Sequence, residues 1–150
     1  MLSSESLEIA ALFRQTMLAR YGETDLASRF RSFDTICSAT QDRQDAVIQL
    51  LGEQRLDLMV VIGGYNSSNT CNLARICADT IPTFHIADPD GLVSADVVRH
   101  RDVTTKQEIS TAGWLPAEGP LRVGITSGAS TPDNLVEAVV RALTAFTVEP

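Results

Sequence analysis

The run Leu58-Met59-Val60-Val61-Ile62, closed by Gly63-Gly64, constrains this chain more than any other stretch. Its last three residues before the glycines are β-branched, and no polar residue interrupts it. Such a run gives solvent no face to wet, so the segment Leu56–Ile62 reads as a strand buried on both sides, the hallmark of a parallel sheet covered by helices. The flanking sequence supplies the rest of that architecture. Phe33–Cys37, Pro82–Ala87 and Leu121–Thr126 read as further strands. Thr40–Gln54, with Ala46, Val47, Leu50 and Leu51 turned inward, Asn66–Ala78 and Pro132–Phe146 read as the helices between and after them. Strand–helix alternation with short connections predicts a small α/β domain of three layers built on a parallel sheet. Asp88–Gly119 breaks the alternation, and a short helix near Ser94 with an edge hairpin or loop is expected there. Upstream, Ser4–Tyr21 reads as a helix with Ile9, Leu12, Phe13, Thr16 and Met17 at helical spacing, stopped by Gly22.

With 150 residues, 44% of them hydrophobic, the chain can bury a core as one domain plus an appendage. Twelve Lys and Arg against nineteen Asp and Glu give a net charge of −7. That balance argues against nucleic acid or an anionic membrane as partner, since both need a dense basic face. It leaves room for a small anion, which needs only one local cradle. No apolar run reaches the length of a membrane span. Three cysteines, an odd number, and a start lacking a basic and apolar leader point to a reducing, cytoplasmic setting.

Parallel sheets bind ligands beyond the carboxyl ends of their strands, where helix N-termini aim backbone N–H groups into a crevice. Three junctions there stand out. Cys37-Ser38-Ala39-Thr40 puts a thiol at a helix start, where the helix dipole favours the thiolate that ligates iron or zinc. A buried structural cysteine is the plainer alternative. Gly63-Gly64-Tyr65-Asn66-Ser67-Ser68-Asn69-Thr70 combines a tight turn with more hydroxyl and amide groups than one helix cap needs. It suits a phosphate or diphosphate held by neutral donors, or is simply a polar loop. Ser127-Gly128-Ala129-Ser130-Thr131-Pro132-Asp133 has the form of a capping box with Pro132 in the first turn, yet it should lie beside the second junction. Cys71 and Cys77 are about 240° apart around a helix and cannot chelate one metal. Cys77 is expected in the core, Cys71 partly buried, His85 as a packed core histidine, and His100, between Arg99 and Arg101, on a solvated face.

Three stretches carry a resemblance: Asp34-Thr35-Ile36-Cys37-Ser38-Ala39-Thr40-Gln41-Asp42-Arg43-Gln44, then Gly63 to Thr70, then Gly124-Ile125-Thr126-Ser127 running on to Asp133. In this order they resemble the family of 4-hydroxy-3-methylbut-2-enyl diphosphate reductase, the last enzyme of the methylerythritol phosphate route to isoprenoids. The wording of the motifs is most similar to the longer form found in plants, cyanobacteria and some other bacteria. The resemblance implies three similar α/β units around a [4Fe-4S] iron–sulfur cluster, each giving one cysteine. Residues 1–32 would close the preceding unit, and residues 33–150 would be the third unit. Cys37 matches the third cluster cysteine. Ser67, Ser68, Asn69 and Ser130 match residues that hold the substrate diphosphate. The implied reaction is reductive removal of a hydroxyl, giving isopentenyl and dimethylallyl diphosphates, with electrons from a ferredoxin or flavodoxin. The location would be cytoplasmic, or the plastid stroma in a plant.

The chain departs from the family in what it lacks. The other two cluster cysteines, the substrate histidines and the proton-donating glutamate match nothing here, so the resemblance is to the C-terminal part of the enzyme. One thiolate does not hold such a cluster. The chain alone is therefore expected to be inactive, needing the missing N-terminal units or a chain supplying them. The alternative is a stand-alone diphosphate-binding α/β module without redox activity.

Overall fold

The computed structural model describes residues 3–33, 38–116 and 119–147, in two compact units, residues 1–41 and 42–150. The first contains α1 (Ser3–Arg29), in which Gly22 adopts φ 75° and ψ 171°. Gly22 therefore breaks the helix as its sequence suggests, since glycine enters the left-handed region without penalty. Beyond Gly22 the structure departs from expectation: the chain resumes helical geometry and runs on to Arg29. The apolar stripe of α1 is largely exposed, with Leu12 and Phe13 at 60% and 61%.

The second unit is built on a five-stranded mixed sheet. After α2 (Ser38–Glu53) come β1 (Leu58–Ile62), α3 (Ser68–Ala78), β2 (Thr83–Ile86), a 3-10 turn at Pro89–Gly91, β3 (Val97–Arg101), β4 (Glu108–Ala112), β5 (Val123–Ser127) and α4 (Asp133–Thr147). The order across the sheet is β4-β3-β2-β1-β5. β1 runs parallel to β2 and to β5, whereas β3 pairs antiparallel with β2 and β4 pairs antiparallel with β3. The α/β architecture is thus parallel across β2, β1 and β5, and the expected edge hairpin, β3 and β4, extends it on the β2 side. The strand expected at Phe33–Cys37 falls on residues 34–37, outside the described residues.

β1 lies between β2 and β5 and is buried throughout. Because side chains alternate across a strand, Leu58, Val60 and Ile62 enter one core with Phe84, Ile86, Trp114, Val139 and Leu143. Met59 and Val61 enter the other with Val47, Leu73, Ala74 and Cys77. α4 therefore covers one face, α2 and α3 the other. Each fully buried aliphatic side chain of β1 contributes roughly 1.5–3 kcal/mol.

The buried face of α2 is rotated from the expected one: Gln44 and Val47 are buried and Leu50 and Leu51 partly so, but Ala46 is exposed. No helix forms at Ser94. Its hydroxyl instead accepts from the N–H groups of Asp96 and Val97, 3.2 and 3.0 Å away, closing a turn into β3. His100 also departs from the sequence reading. It is 6% exposed, with its Nε2 2.8 Å from Thr111 Oγ1 and its ring edge-on to Phe84, because strand alternation turns it inward between the exposed Arg99 and the half-buried Arg101.

Burial holds the imidazoles of His85 and His100 below the ordinary histidine range. The unfolded chain then binds more protons than the folded one, so stability is present above the unfolded value of about 6.5 and declines as pH falls from there toward the depressed folded values. Urea midpoints measured at pH 8, 6.5 and 5 are expected to fall in that order. The decline should be shallower in His85→Gln, which keeps a donor near its partner but cannot titrate.

Candidate functional site

β1 and β5 end side by side, with Ile62 opposite Ser127. The second and third junctions are consequently neighbours, and they are tied at several points. The Gly128 N–H donates to the Ile62 carbonyl at 3.0 Å, and Thr131 Oγ1 donates to the same carbonyl at 3.1 Å. On the other side of β1 the Gly63 N–H donates to the Ile86 carbonyl at 2.9 Å. Gly63 has φ 145°, and a side chain there would meet Thr131 Oγ1 at 2.7 Å and Thr70 Oγ1 at 3.0 Å. The loop is glycine because its backbone passes directly against these two threonines.

His85 locks the same turn from below. It is 2% exposed, and its Nε2 lies 2.9 Å from the Gly63 carbonyl, so that nitrogen carries the proton. Tyr65 stands edge-on to the imidazole, with ring centroids 5.1 Å apart. His85 is thus the packed core histidine expected of it. Cys77 is fully buried, which pushes its thiol up to about 12, and Cys71 is partly buried.

Ser67 caps α3, its hydroxyl accepting from the Thr70 N–H at 3.4 Å. Capping uses only the acceptor side, so the Ser67 O–H remains able to donate to an anion. Ser68, exposed, opens the helix, and Asn69 is half-buried. Helical rotation separates their roles: Ser68 lines a cleft toward the β3–β4 hairpin, whereas Thr70 faces the third junction through Gly63 and Gly128. Ser130 is exposed on the loop after β5. Cys37 lies outside the described residues.

Two residues of this edge escaped the sequence reading. Arg43 of α2 donates through one guanidinium nitrogen to the Ser127 carbonyl at 3.1 Å and to Ser127 Oγ at 3.0 Å, bracing the loop that carries Ser130. Its place in the first motif was the available signal. Thr70 is 1% exposed, and its hydroxyl has no partner among the described residues. Nothing in a run of polar residues marks the one that will be sealed inside.

The arrangement presents hydroxyls and helix N-terminal N–H groups at one sheet edge, the chemistry of a phosphate cradle. It is not a metal site by itself: among the described residues no three His, Cys, Asp or Glu side chains gather as ligands.

Comparison with known proteins gives the family of the chain. Residues 2–144 match the family model described as LytB protein. The chain is 52% identical over 141 residues to 4-hydroxy-3-methylbut-2-enyl diphosphate reductase of Gloeobacter violaceus, covering 93% of this chain and 33% of that protein. It is 49% identical over 152 residues to the reductase of the same name from Picosynechococcus, covering 100% and 37%. A solved structure of (E)-4-hydroxy-3-methyl-but-2-enyl diphosphate reductase, the terminal enzyme of the non-mevalonate pathway, superimposes with a TM-score of 0.56 at 30% identity. It covers 85% of this chain and 39% of its own. The chain spans about a third of the length of the curated relatives it matches. With the family model matching nearly its whole length, this chain belongs to the LytB protein family.

Proposed function

We propose that this chain is the diphosphate-holding part of a reductase that converts 4-hydroxy-3-methylbut-2-enyl diphosphate to isopentenyl and dimethylallyl diphosphates. The observation that carries the proposal is the juxtaposition of the two hydroxyl-rich junctions across the β1–β5 pair. Ser67, Ser68 and Asn69 from one side and Ser130 from the other would hold the diphosphate oxygens, and the start of α3 would add backbone N–H groups. Neutral donors suit this task, because they orient an anion without fixing its charge state. Arg43 and Thr131 serve as positioning residues, holding the loop after β5 against β1.

Cys37 would be this chain's one ligand to a [4Fe-4S] cluster. The described residues do not fit such a cluster unaided, for Cys77 is sealed in the core and Cys71 sits in the cleft facing the hairpin. Cluster assembly, and electron delivery by a ferredoxin or flavodoxin, would belong to the longer protein.

Titration calorimetry of the chain with the substrate diphosphate tests the binding role. Ser67→Ala and Ser130→Ala are each expected to weaken binding by about tenfold to a hundredfold, the cost of one hydrogen bond to a charged group. Unchanged affinity in both would overturn the assignment.

A further inference from the structure

On the flank of α3 turned away from Gly128, a cleft of ≈ 350 Å³ opens between that helix and the turn of the β3–β4 hairpin. Ser68, Cys71, Asn72 and Arg75 line it from the helix, Arg101 and Lys106 from the hairpin. Along α3 these four lie about 100–200° round from Thr70. The cleft is therefore separate from the face tied to the third junction, with Ser68 on its near wall.

Its charge runs against that of the chain. In a protein of net charge −7, Arg75, Arg101 and Lys106 converge on one cleft, and none forms an ion pair among the described residues. One acid, Asp102, lines the cleft beside these three cations, which leaves the cleft with a cationic excess. Asp102 accepts from the Thr104 and Thr105 N–H groups and from the Thr105 hydroxyl, and this hydrogen bonding holds its carboxyl below the usual carboxylate range. Glu108, directly across the hairpin from Arg101, pairs with Arg99 at 3.5 Å. Arg101 itself is held in place, donating to the carbonyls of Lys106 and Tyr65, with its guanidinium 5.8 Å from the Tyr65 ring centre. The Asn72 side-chain nitrogen is buried and has no acceptor among the described residues. A buried donor without a partner calls for an acceptor, and the fixed guanidinium of Arg101 on the same cleft calls for a negative one.

We propose that this cleft is a second anion site, which takes the phosphate group of a small phosphorylated molecule. Arg101, already oriented, and the exposed Arg75 and Lys106 supply the charge. Asn72 supplies a neutral donor from the wall of the cleft.

The test is a titration of the ¹⁵N-labelled chain with inorganic phosphate at constant ionic strength. Saturable shifts are expected at Cys71, Asn72, Arg75, Arg101 and Lys106. Binding there should weaken about tenfold or more in the double variant Arg75→Gln/Lys106→Gln, whose positions are exposed and leave the fold intact. Saturating phosphate should also slow alkylation of Cys71, read by peptide mass spectrometry with buried Cys77 as the unreactive control. Shifts confined to Ser67 and residues 127–131 would overturn this site while supporting the proposed substrate cradle. Cleft shifts that persist at equal affinity in the double variant would overturn it as well. Cleft shifts without any at residues 127–131 would support this site and count against the cradle.

Discussion

Reconstituted anaerobically with iron and sulfide, the purified chain is expected to retain near-zero iron and labile sulfide, and to turn over no diphosphate with a reduced mediator. Clusters of this kind are held by thiolates, usually four or, with an open iron, three. The chain has three cysteines but cannot pool them. Cys77 is fully buried and its thiol is raised to about 12, so burial blocks both access and ionisation. Cys71 lies about 240° away around α3 and donates to the Tyr65 carbonyl at 3.3 Å. That leaves Cys37 alone. A chimaera in which residues 2–144 replace the matching segment of the Gloeobacter reductase should recover both cluster and turnover, and Cys37→Ser in that chimaera should abolish both. A stable cluster on the isolated chain, lost on Cys37→Ser, would show instead that several copies assemble and share their thiolates.

The parts of the fold that were legible in the sequence are those in which local pattern and tertiary role coincide. β1 reads as a doubly buried strand because nothing in it tolerates water, and Gly63-Gly64 marks the place where backbone meets side chain. Adjacency of the second and third junctions came from parallel topology alone. The rest depended on long-range choices. β3, with its Arg99-His100-Arg101, reads as polar because two arginines flank the histidine; only pairing with β4 and packing on Phe84 turn His100 inward. The face of α2 is rotated so that Gln44 is buried beside Val47 and Ala46 is exposed, a choice made by the core that Val47 shares with Met59 and Val61 and not by local pattern. The cationic cleft was invisible for a similar reason, since its residues are far apart in sequence and are gathered by the hairpin.

Replacing Gly128 by alanine is expected to lower stability by roughly 2–3 kcal/mol and to loosen the loop that carries Ser130. Gly128 does not occupy the left-handed region, so its cost is purely steric. A methyl group there would overlap the Thr70 hydroxyl and approach Thr131 Oγ1 to 3.3 Å. Neither neighbour yields easily: both are β-branched and stiff at χ1, and Thr131 is bonded to the Ile62 carbonyl. Thr70 offers a way to prove the cause. Its buried hydroxyl has no partner among the described residues, so Thr70→Ala alone loses packing but no hydrogen bond, and should cost about 1 kcal/mol or less. In the double variant that truncation opens the space the new methyl needs. Urea unfolding of the four proteins should therefore show the pair to be more stable than the sum of its parts by about 1 kcal/mol or more, the signature of direct contact. Strict additivity would mean that Gly128 is required for some other reason, and that Thr70 does not set the spacing between the start of α3 and the loop after β5. If it does set that spacing, diphosphate affinity should fall in Gly128→Ala and return in the double variant, because Thr70 packs against both Gly63 and Gly128, one from each half of the cradle.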